Sequence, residues 1–159
     1  MGPEGDLVAP RLARGCLCFA VSIDGGLAGY GWLSTGPEWI GELQLEIKPR
    51  EREADLWNCV TVPEHRRRGV FRSLVIGMSA AARRLGAHRV WIGSVDIPAE
   101  QALAPIGFRP ALHFNVANVG GLHLMRVSRA ADRSLAAHGS EVLGVGPGLV
   151  LRASHPRRH

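Results

Sequence analysis

The pattern of hydrophobic and polar positions is clearest between residues 55 and 86, where it predicts a strand, a tight turn and a helix. Residues 56–62 are apolar and β-branched over the length of a buried strand. Pro63 ends this run, because proline has no N–H to donate to a sheet ladder. Gly86 is typical of a residue that ends a helix. Between them, apolar residues recur at helical spacing at Val70, Leu74, Val75, Met78, Ala82 and Leu85.

Upstream of this unit, alternation of apolar and polar residues predicts two strands at 16–22 and 27–33. Asp24, Gly25 and Gly26 lie between them and predict a tight hairpin turn. The other upstream segments are predicted to be an irregular arm rich in Gly and Pro at 1–14, a loop at 34–39 and a half-exposed strand at 42–47.

Downstream, residues 88–95 predict a strand parallel to 56–62, because a right-handed crossover helix would connect the two. The remaining predicted elements are a short helix opened by Pro98 and closed by Pro105 and Gly107, a hairpin of strands 108–117 and 122–127, a helix at 129–139, a strand at 142–153 and a disordered tail. This order predicts an α/β (α+β) fold with a mixed, mostly antiparallel sheet and helices on its faces.

Composition narrows the class of protein. A chain of 159 residues with 46% hydrophobic and 21% charged residues fits one soluble globular domain. Its apolar runs are shorter than the ~20 residues of a membrane helix, and its first residues do not resemble a signal peptide. The odd number of cysteines (Cys16, Cys18 and Cys59) indicates no disulfide framework, so a cytoplasmic location is expected.

The net charge of +5 and the isoelectric point of about 10.0 raise the alternative of a nucleic-acid-binding module. The basic residues are nearly all arginine, with Lys48 the only lysine, which is a compositional bias. They form no basic stripe with interleaved aromatic residues of the kind that single-strand binders use. Nucleic acid is therefore not the expected partner.

The junction between the central strand and its helix carries Arg66, Arg67, Arg68 and Gly69. Backbone N–H groups that enter a helix form an anion site, and the helix dipole and the arginines strengthen it. The junction lacks the lysine and hydroxyl of the common nucleotide-binding loop, G-x-x-x-x-G-K-[ST]. The sequence therefore predicts a seat for a phosphate or pyrophosphate of another kind.

Two motifs resemble those of the GNAT N-acetyltransferase superfamily. The run V-T-V-P-E-H-R-R-R-G-V-F resembles its acetyl-CoA signature, with R/Q-x-x-G-x-G/A at the core; Arg66 and Gly69 match, and Phe71 replaces the final glycine. Ile106-Gly107-Phe108 resembles the end of its second motif, in which Asp96 replaces an asparagine and Leu103 a tyrosine. The resemblance implies a GNAT-like acyl-CoA-binding domain at 15–128, shortened at the N-terminus, and a C-terminal extension at 129–159.

The resemblance also implies how acetyl-CoA is bound. The amides of residues 67–72 would hold the pyrophosphate, and the backbone of Val60, Thr61 and Val62 would pair with the pantetheine arm. The implied contacts with the coenzyme are Val60, Thr61, Val62, Arg66, Arg67, Arg68, Gly69, Val70, Phe71, Arg72 and Asp96.

Catalytic candidates follow from the chemistry of acyl transfer to an amine, which must lose a proton before it attacks a thioester. Asp55, alone or with Glu53, is the candidate base, because partial burial can raise the pKa of a carboxylate. Leu103 cannot supply the proton that the family's tyrosine gives to the leaving thiolate. His113 and His123, expected to face each other across the second hairpin, are possible substitutes or ordinary sheet residues.

The leading hypothesis is an acetyltransferase that uses acetyl-CoA as its acyl donor and a small-molecule or peptide amine as acceptor, by direct attack in a ternary complex. The alternative is a catalytically silent acyl-CoA-binding sensor or scaffold, favoured by Leu103 and the short N-terminus. No metal site is predicted. A homodimer is expected if the sheet leaves an apolar edge uncovered.

Overall fold

The computed structural model describes residues 5–94 and 97–153. These residues form two compact units: the first holds the described residues of 1–36 and 49–108, and the second holds those of 37–48 and 109–159. In chain order the helices and strands are α1 (Gly5–Ala13), β1 (Leu17–Ile23), β2 (Gly26–Ser34), β3 (Glu38–Ile40), β4 (Leu45–Ile47), β5 (Glu53–Thr61), α2 (Val70–Arg84), β6 (Arg89–Ile92), α3 (Ile97–Leu103), β7 (Leu112–Val119), β8 (Leu122–Arg129), α4 (Arg133–Leu143) and β9 (Gly148–Ala153).

The first unit contains a four-stranded sheet in the order β1-β2-β5-β6. Its strands pair antiparallel except for β5 and β6, which are parallel and joined through α2. Asp24 and Gly25 turn the first hairpin with φ angles of 52° and 79°, the left-handed conformation of a type I′ turn. The predicted mixed, mostly antiparallel sheet with helices on its faces is confirmed.

Helix α2 packs its apolar stripe against one face of this sheet. Leu74, Val75 and Met78 are buried against Leu33 and Leu56. The helix approaches β2 closely, because β2 presents glycines beneath it. A methyl group on Gly31 would lie 3.0 Å from both the Cys59 Sγ and the Met78 Sδ, so no larger residue fits without displacement. Gly86, with φ of 93°, ends α2 as predicted.

Helix α1 precedes β1 and contacts it. Arg11 is 8% exposed, and its guanidinium carbon lies 4.4 Å from the ring centroid of Trp57 and 5.1 Å from that of Trp32. The two tryptophan rings are stacked, with centroids 6.0 Å apart. Their desolvated surroundings strengthen these cation–π contacts. The prediction of an irregular arm at 1–14 is therefore wrong for the described part of that segment.

The second unit combines the hairpin β3–β4, helix α4 and a three-stranded antiparallel sheet in the order β7-β8-β9. Its core contains Leu45, Met125, Val127 and Val145. Asp132 caps α4 by accepting a hydrogen bond from the Leu135 N–H at 3.0 Å, which sets the start of this helix four residues later than predicted.

Two further expectations about this unit were wrong. Residues 38–40 and 45–47 form two short paired strands, where the sequence predicted a loop at 34–39 and a single strand at 42–47. His113 pairs with Ser128, and His123 pairs with Asn118, so the two histidines do not face each other. No helix in the described ranges is long and apolar enough to cross a membrane.

Candidate active site

The strand–turn–helix junction is built as the sequence predicted. After β5, the Val62 N–H donates to the Ala28 carbonyl at 2.9 Å, and Pro63–His65 form a short 3-10 turn. Arg67 (φ 59°) and Gly69 (φ 81°) then adopt left-handed backbone conformations. Gly69 is the N-cap of α2, and a side chain there would be strained. These conformations turn the chain into the helix with successive N–H groups at its start.

The electrostatics of this junction favour an anion. Arg66, Arg67, Arg68 and Arg72 are all exposed, and the first turn of α2 contains no acidic residue. Among the residues that the structure describes, no side chain caps the helix start, so its first N–H groups remain available to a ligand. Arg68 is oriented by a hydrogen bond between its Nη1 and the His65 Nδ1 at 3.1 Å. Helix dipole, amides and guanidinium groups therefore act together on the same region.

Val70 and Phe71 anchor the first turn rather than facing solvent. Val70 is buried, and Phe71 is half-buried against the core of the first unit. The phenyl group in place of the motif's last glycine is thus accommodated inside the protein. The N–H of residue 71 can serve the anion seat while its side chain holds the helix to the sheet.

Strands β5 and β6 separate at the end that leads to this junction. Their parallel pairing runs from Glu53 opposite Arg89 to Leu56 opposite Ile92, where β6 ends. Strand β5 continues for five residues more, to Thr61, paired with β2. Within the described ranges, no strand pairs with this side of β5 from residue 57 to residue 61, so an open edge lies between the last paired residues and the proposed anion seat.

Thr61 presents polar groups along this edge. Because the Val62 N–H points to β2, the N–H and C=O of the preceding residue, Thr61, point to the opposite side. The Thr61 hydroxyl oxygen is buried and has no hydrogen-bond partner within the described part of the chain. Buried polar groups usually have partners. This orphaned hydroxyl, which sequence reasoning did not single out, indicates a place where a polar ligand such as the pantetheine arm fits.

A β-bulge interrupts β5 between the open edge and the candidate base. Trp57 pairs with Trp32 and Val60 with Tyr30, so Asn58 and Cys59 together oppose Gly31. Asn58 has a φ of 47°, an uncommon conformation for a residue with a side chain. Such bulges re-aim side chains and are frequent next to active sites. The hydrophobic pattern of β5 contains no sign of this bulge.

Asp55 lies within β5, between Ser34 on β2 and Trp91 on β6. It is 3% exposed, so it is a buried strand residue. Its neighbours Ala54 and Leu56 belong to the core beneath α2, so alternation places Asp55 on the other face of the sheet.

Glu53 is 2% exposed and held by three donors. Its carboxylate accepts from the Trp91 Nε1 at 2.9 Å and from the Arg50 N–H at 3.2 Å, and Arg89 Nη1 lies 3.9 Å away. These contacts tie the start of β5 to β6. They also hold the Glu53 carboxylate in place on the strand that carries Asp55.

Cys59 is the second residue of the bulge, next to Val60. Burial, reinforced by the negative charge of Asp55, raises the pKa of the Cys59 thiol to about 12. A thiol with this pKa is protonated at neutral pH and is a poor nucleophile. Burial also raises the pKa of Cys18, although the Arg11 charge opposes the change.

The described residues of the second motif either pack in the core or close a turn. Leu103 is 6% exposed and belongs to the core beneath α2. Gly107 has a φ of 94°, and the Phe108 N–H donates to the Leu103 carbonyl at 3.3 Å, which closes the turn after α3. Asp96, a predicted coenzyme contact, lies outside the described residues.

A groove of about 800 Å³ lies at the other end of α2, lined among others by Arg52, Ser79, Arg83 and His88. It adjoins the start of β5 and not the open edge near Thr61. In the described ranges, no group of His, Cys, Asp and Glu residues is arranged to hold a metal ion.

Comparisons with known proteins agree with this geometry. Similar folds occur in a GCN5-related N-acetyltransferase from Ralstonia eutropha (20% identity, TM-score 0.54, 75% of each chain covered) and a ribosomal-protein-alanine N-acetyltransferase from Brucella melitensis (16% identity, TM-score 0.51, 75% of this chain and 82% of the other). Glucosamine-6-phosphate N-acetyltransferase from Arabidopsis thaliana is also similar (8% identity, TM-score 0.51, 74% of each chain). No curated protein matches. The sequence model of the acetyltransferase (GNAT) family matches residues 4–108, and the chain therefore belongs to that family of N-acetyltransferases.

Proposed function

We propose that this protein transfers the acetyl group of acetyl-CoA to an amine, by direct attack of the amine on the thioester in a ternary complex. Acyl transfer from acyl-CoA is the general reaction of its family. The observation that carries the proposal is the continuous path from the open edge of β5 at Thr61 to the anion seat at residues 66–72. Its length and polarity suit a ligand with a polar arm and a pyrophosphate.

The residues present fit this ligand. The N–H groups at the start of α2, with Arg66, Arg67, Arg68 and Arg72, would hold the pyrophosphate. The outward backbone groups and the orphaned hydroxyl of Thr61 would serve the pantetheine arm. When bound, acetyl-CoA supplies a thioester carbon that an amine can attack.

We propose Asp55 as the group that accepts the proton of the acceptor ammonium, directly or through water, with Glu53 positioning the strands around it. The amine nitrogen then forms a bond to the carbonyl carbon, the carbon–sulfur bond breaks, the coenzyme leaves as its thiolate, and the second proton of the nitrogen passes to water. No tyrosine is needed to protonate the thiolate, because a thiol has a pKa near 8.5 and its thiolate leaves unassisted. The buried leucine at 103 offers no proton, so the thiolate leaves unprotonated.

The high pKa of Cys59 supports direct transfer over a covalent acyl-enzyme. An acyl-enzyme needs an activated nucleophile beside the thioester. The thiol nearest to the open edge in sequence is held protonated, so the amine itself is the better nucleophile. The acceptor is an amine of a small molecule or peptide.

Release of coenzyme A thiol from acetyl-CoA, measured with a panel of small amines and N-terminal peptides, tests the proposed reaction. Thermal shift with acetyl-CoA separately tests binding; ligand at ~100 times its Kd should add about 2.7 kcal/mol of stability. Binding without turnover on any amine would favour a silent acyl-CoA sensor, for which Leu103 is the supporting observation. Absence of both binding and turnover would refute the proposal.

A matched pair of variants locates the coenzyme on α2. Arg72→Glu places a negative charge in the first turn, and Arg84→Glu makes the same change in the last turn; both arginines are exposed. An acidic residue near a helix N-terminus stabilises the helix itself. Loss of the acetyl-CoA shift in Arg72→Glu alone therefore reports on binding and not on folding. Equal shifts in the two variants would place the coenzyme elsewhere.

A further inference from the structure

Strand β9 forms an edge of the sheet in the second unit. One side of it pairs with β8, from Gly148 opposite Val127 to Ala153 opposite Leu122. Within the described ranges, no strand pairs with its other side. That side presents a row of backbone N–H and C=O groups able to pair with another strand.

The exposed face of β9 is apolar, whereas edge strands that are protected against pairing carry charged residues there. Leu149 is 72% and Leu151 is 58% exposed. The strand's only charged residue, Arg152, points to the inner face, where its Nη1 donates to the Gln44 carbonyl. Proline and outward charges are the usual protection of an edge, and Pro147 lies just outside this strand. Strand β9 therefore combines free backbone groups with exposed leucines.

We propose that β9 is the surface through which two copies of this chain associate, by antiparallel pairing of β9 with β9 of the partner. This proposal is independent of the catalytic one. A two-fold axis at Val150 would place Leu149 of each copy opposite Leu151 of the partner subunit, which gives two equivalent leucine pairs. It would place Arg152 opposite the partner's Gly148, so the two arginines avoid each other. The strand is thus complementary to itself in both hydrophobicity and charge.

The size of the contact sets the expected strength. Each β9 has six residues and spans ~20 Å at 3.3–3.4 Å per residue. Such a contact is smaller than the ~800 Å² per partner of a standard interface, so a weak, concentration-dependent dimer is expected. The association should be a closed dimer and not a growing series, because pairing consumes the free edge of both strands.

Sedimentation equilibrium of the full chain from low micromolar to near-millimolar concentration tests the proposal. We expect a monomer–dimer equilibrium that Leu149→Lys and Leu151→Lys each shift at least tenfold toward monomer. Val119→Lys is the matched control: Val119 is 62% exposed on the same face of the sheet but belongs to β7, the opposite edge. It should leave the dimer unchanged. Circular dichroism melts of all variants should coincide with that of the monomeric parent, since each side chain is exposed.

Hydrogen exchange provides a second readout. Amides of residues 148–152 that face away from β8 should exchange more slowly as the dimer forms. A strict monomer at every concentration would overturn the proposal. So would a dimer that survives both leucine substitutions, a dimer lost only in Val119→Lys, or assemblies larger than a dimer.

Discussion

Replacing Cys59 by alanine should remove a pH dependence of stability that sets in near pH 9. Burial and the Asp55 charge raise the pKa of this thiol in the folded protein from its ordinary value of 9.0 to about 12. Between these values the unfolded chain loses the proton and the folded chain keeps it. The contribution to stability is therefore complete below pH 9 and is lost as the pH rises toward 12. Three pKa units at 1.36 kcal/mol each correspond to about 4 kcal/mol over the full range.

Urea unfolding of the parent and of Cys59→Ala, followed by tryptophan fluorescence between about pH 7 and about pH 10.5, measures this dependence. At neutral pH the free energies of unfolding of the two proteins should differ by a constant amount, which is the packing energy lost with the thiol. Above pH 9 the stability of the parent should fall relative to the variant by up to about 1.4 kcal/mol per pH unit. The two proteins differ only at residue 59, so the difference between their curves isolates Cys59.

Parallel curves would refute the reasoning. They would mean that the Cys59 thiol titrates as in an unfolded chain and is available as a thiolate at mildly alkaline pH. Direct transfer of the acetyl group to the amine, and not through Cys59, would then lose its support. Slow labelling of Cys59 by iodoacetamide relative to the exposed Cys18 should accompany the predicted result.

Four further substitutions have expected effects on catalysis or stability. Asp55→Asn should lower kcat about 100-fold with little change in the acetyl-CoA thermal shift, and full turnover on a verified acceptor would remove Asp55 as the base. Glu53→Ala should cost about 3 kcal/mol in urea unfolding, because it removes a carboxylate, 2% exposed, that accepts from the Trp91 Nε1 and the Arg50 N–H; a loss below about 1 kcal/mol would contradict this. Gly31→Ala should cost about 1–3 kcal/mol, since its methyl meets two sulfur atoms at 3.0 Å, and an unchanged melting temperature would show that α2 moves freely. Leu103→Tyr should destabilise the core by about 1–3 kcal/mol without raising kcat, whereas a faster enzyme would show that the motif position still faces the thioester.

The sequence predicted best where local chemistry and burial point the same way. The hairpin turn at Asp24 and Gly25, the β5–α2 junction and the glycine end of α2 each depend on residues close together in the chain. Backbone conformation at such positions is decided by neighbours within a few residues, so it can be predicted from the sequence alone.

The features that could not be predicted depend on contacts distant in sequence. Helix α1 forms although it contains Pro10. Its Arg11 contacts Trp32 on β2 and Trp57 on β5, which lie far from it in the sequence. The bulge at Asn58 arises from the register between β5 and β2, which no alternation pattern reveals. The His123 register was missed for the same reason, because the length of the β7–β8 turn fixes it.

In the candidate site, the proposed anion seat could be placed from the sequence, because glycine and several arginines cluster at a strand–helix junction. The orphaned hydroxyl of Thr61 was not, since threonine is an ordinary strand residue and only the coordinates show that its oxygen is buried without a partner. The structural role of Glu53 was equally hidden, because Trp91 and Arg89, which hold it, lie more than thirty residues away.

The bare backbone of β2 at Gly29 has a consequence for any attempt to alter the acyl donor. A methyl group there would lie 2.8 Å from the Val60 carbonyl oxygen and 2.9 Å from Val70 Cγ1, the first residue of α2. One missing side chain therefore sets the spacing between the strand edge and the helix start, the two places proposed to hold opposite ends of the coenzyme. Engineering that enlarges residue 29 would shift both attachment points together, so donor preference is better redesigned elsewhere along the edge of β5.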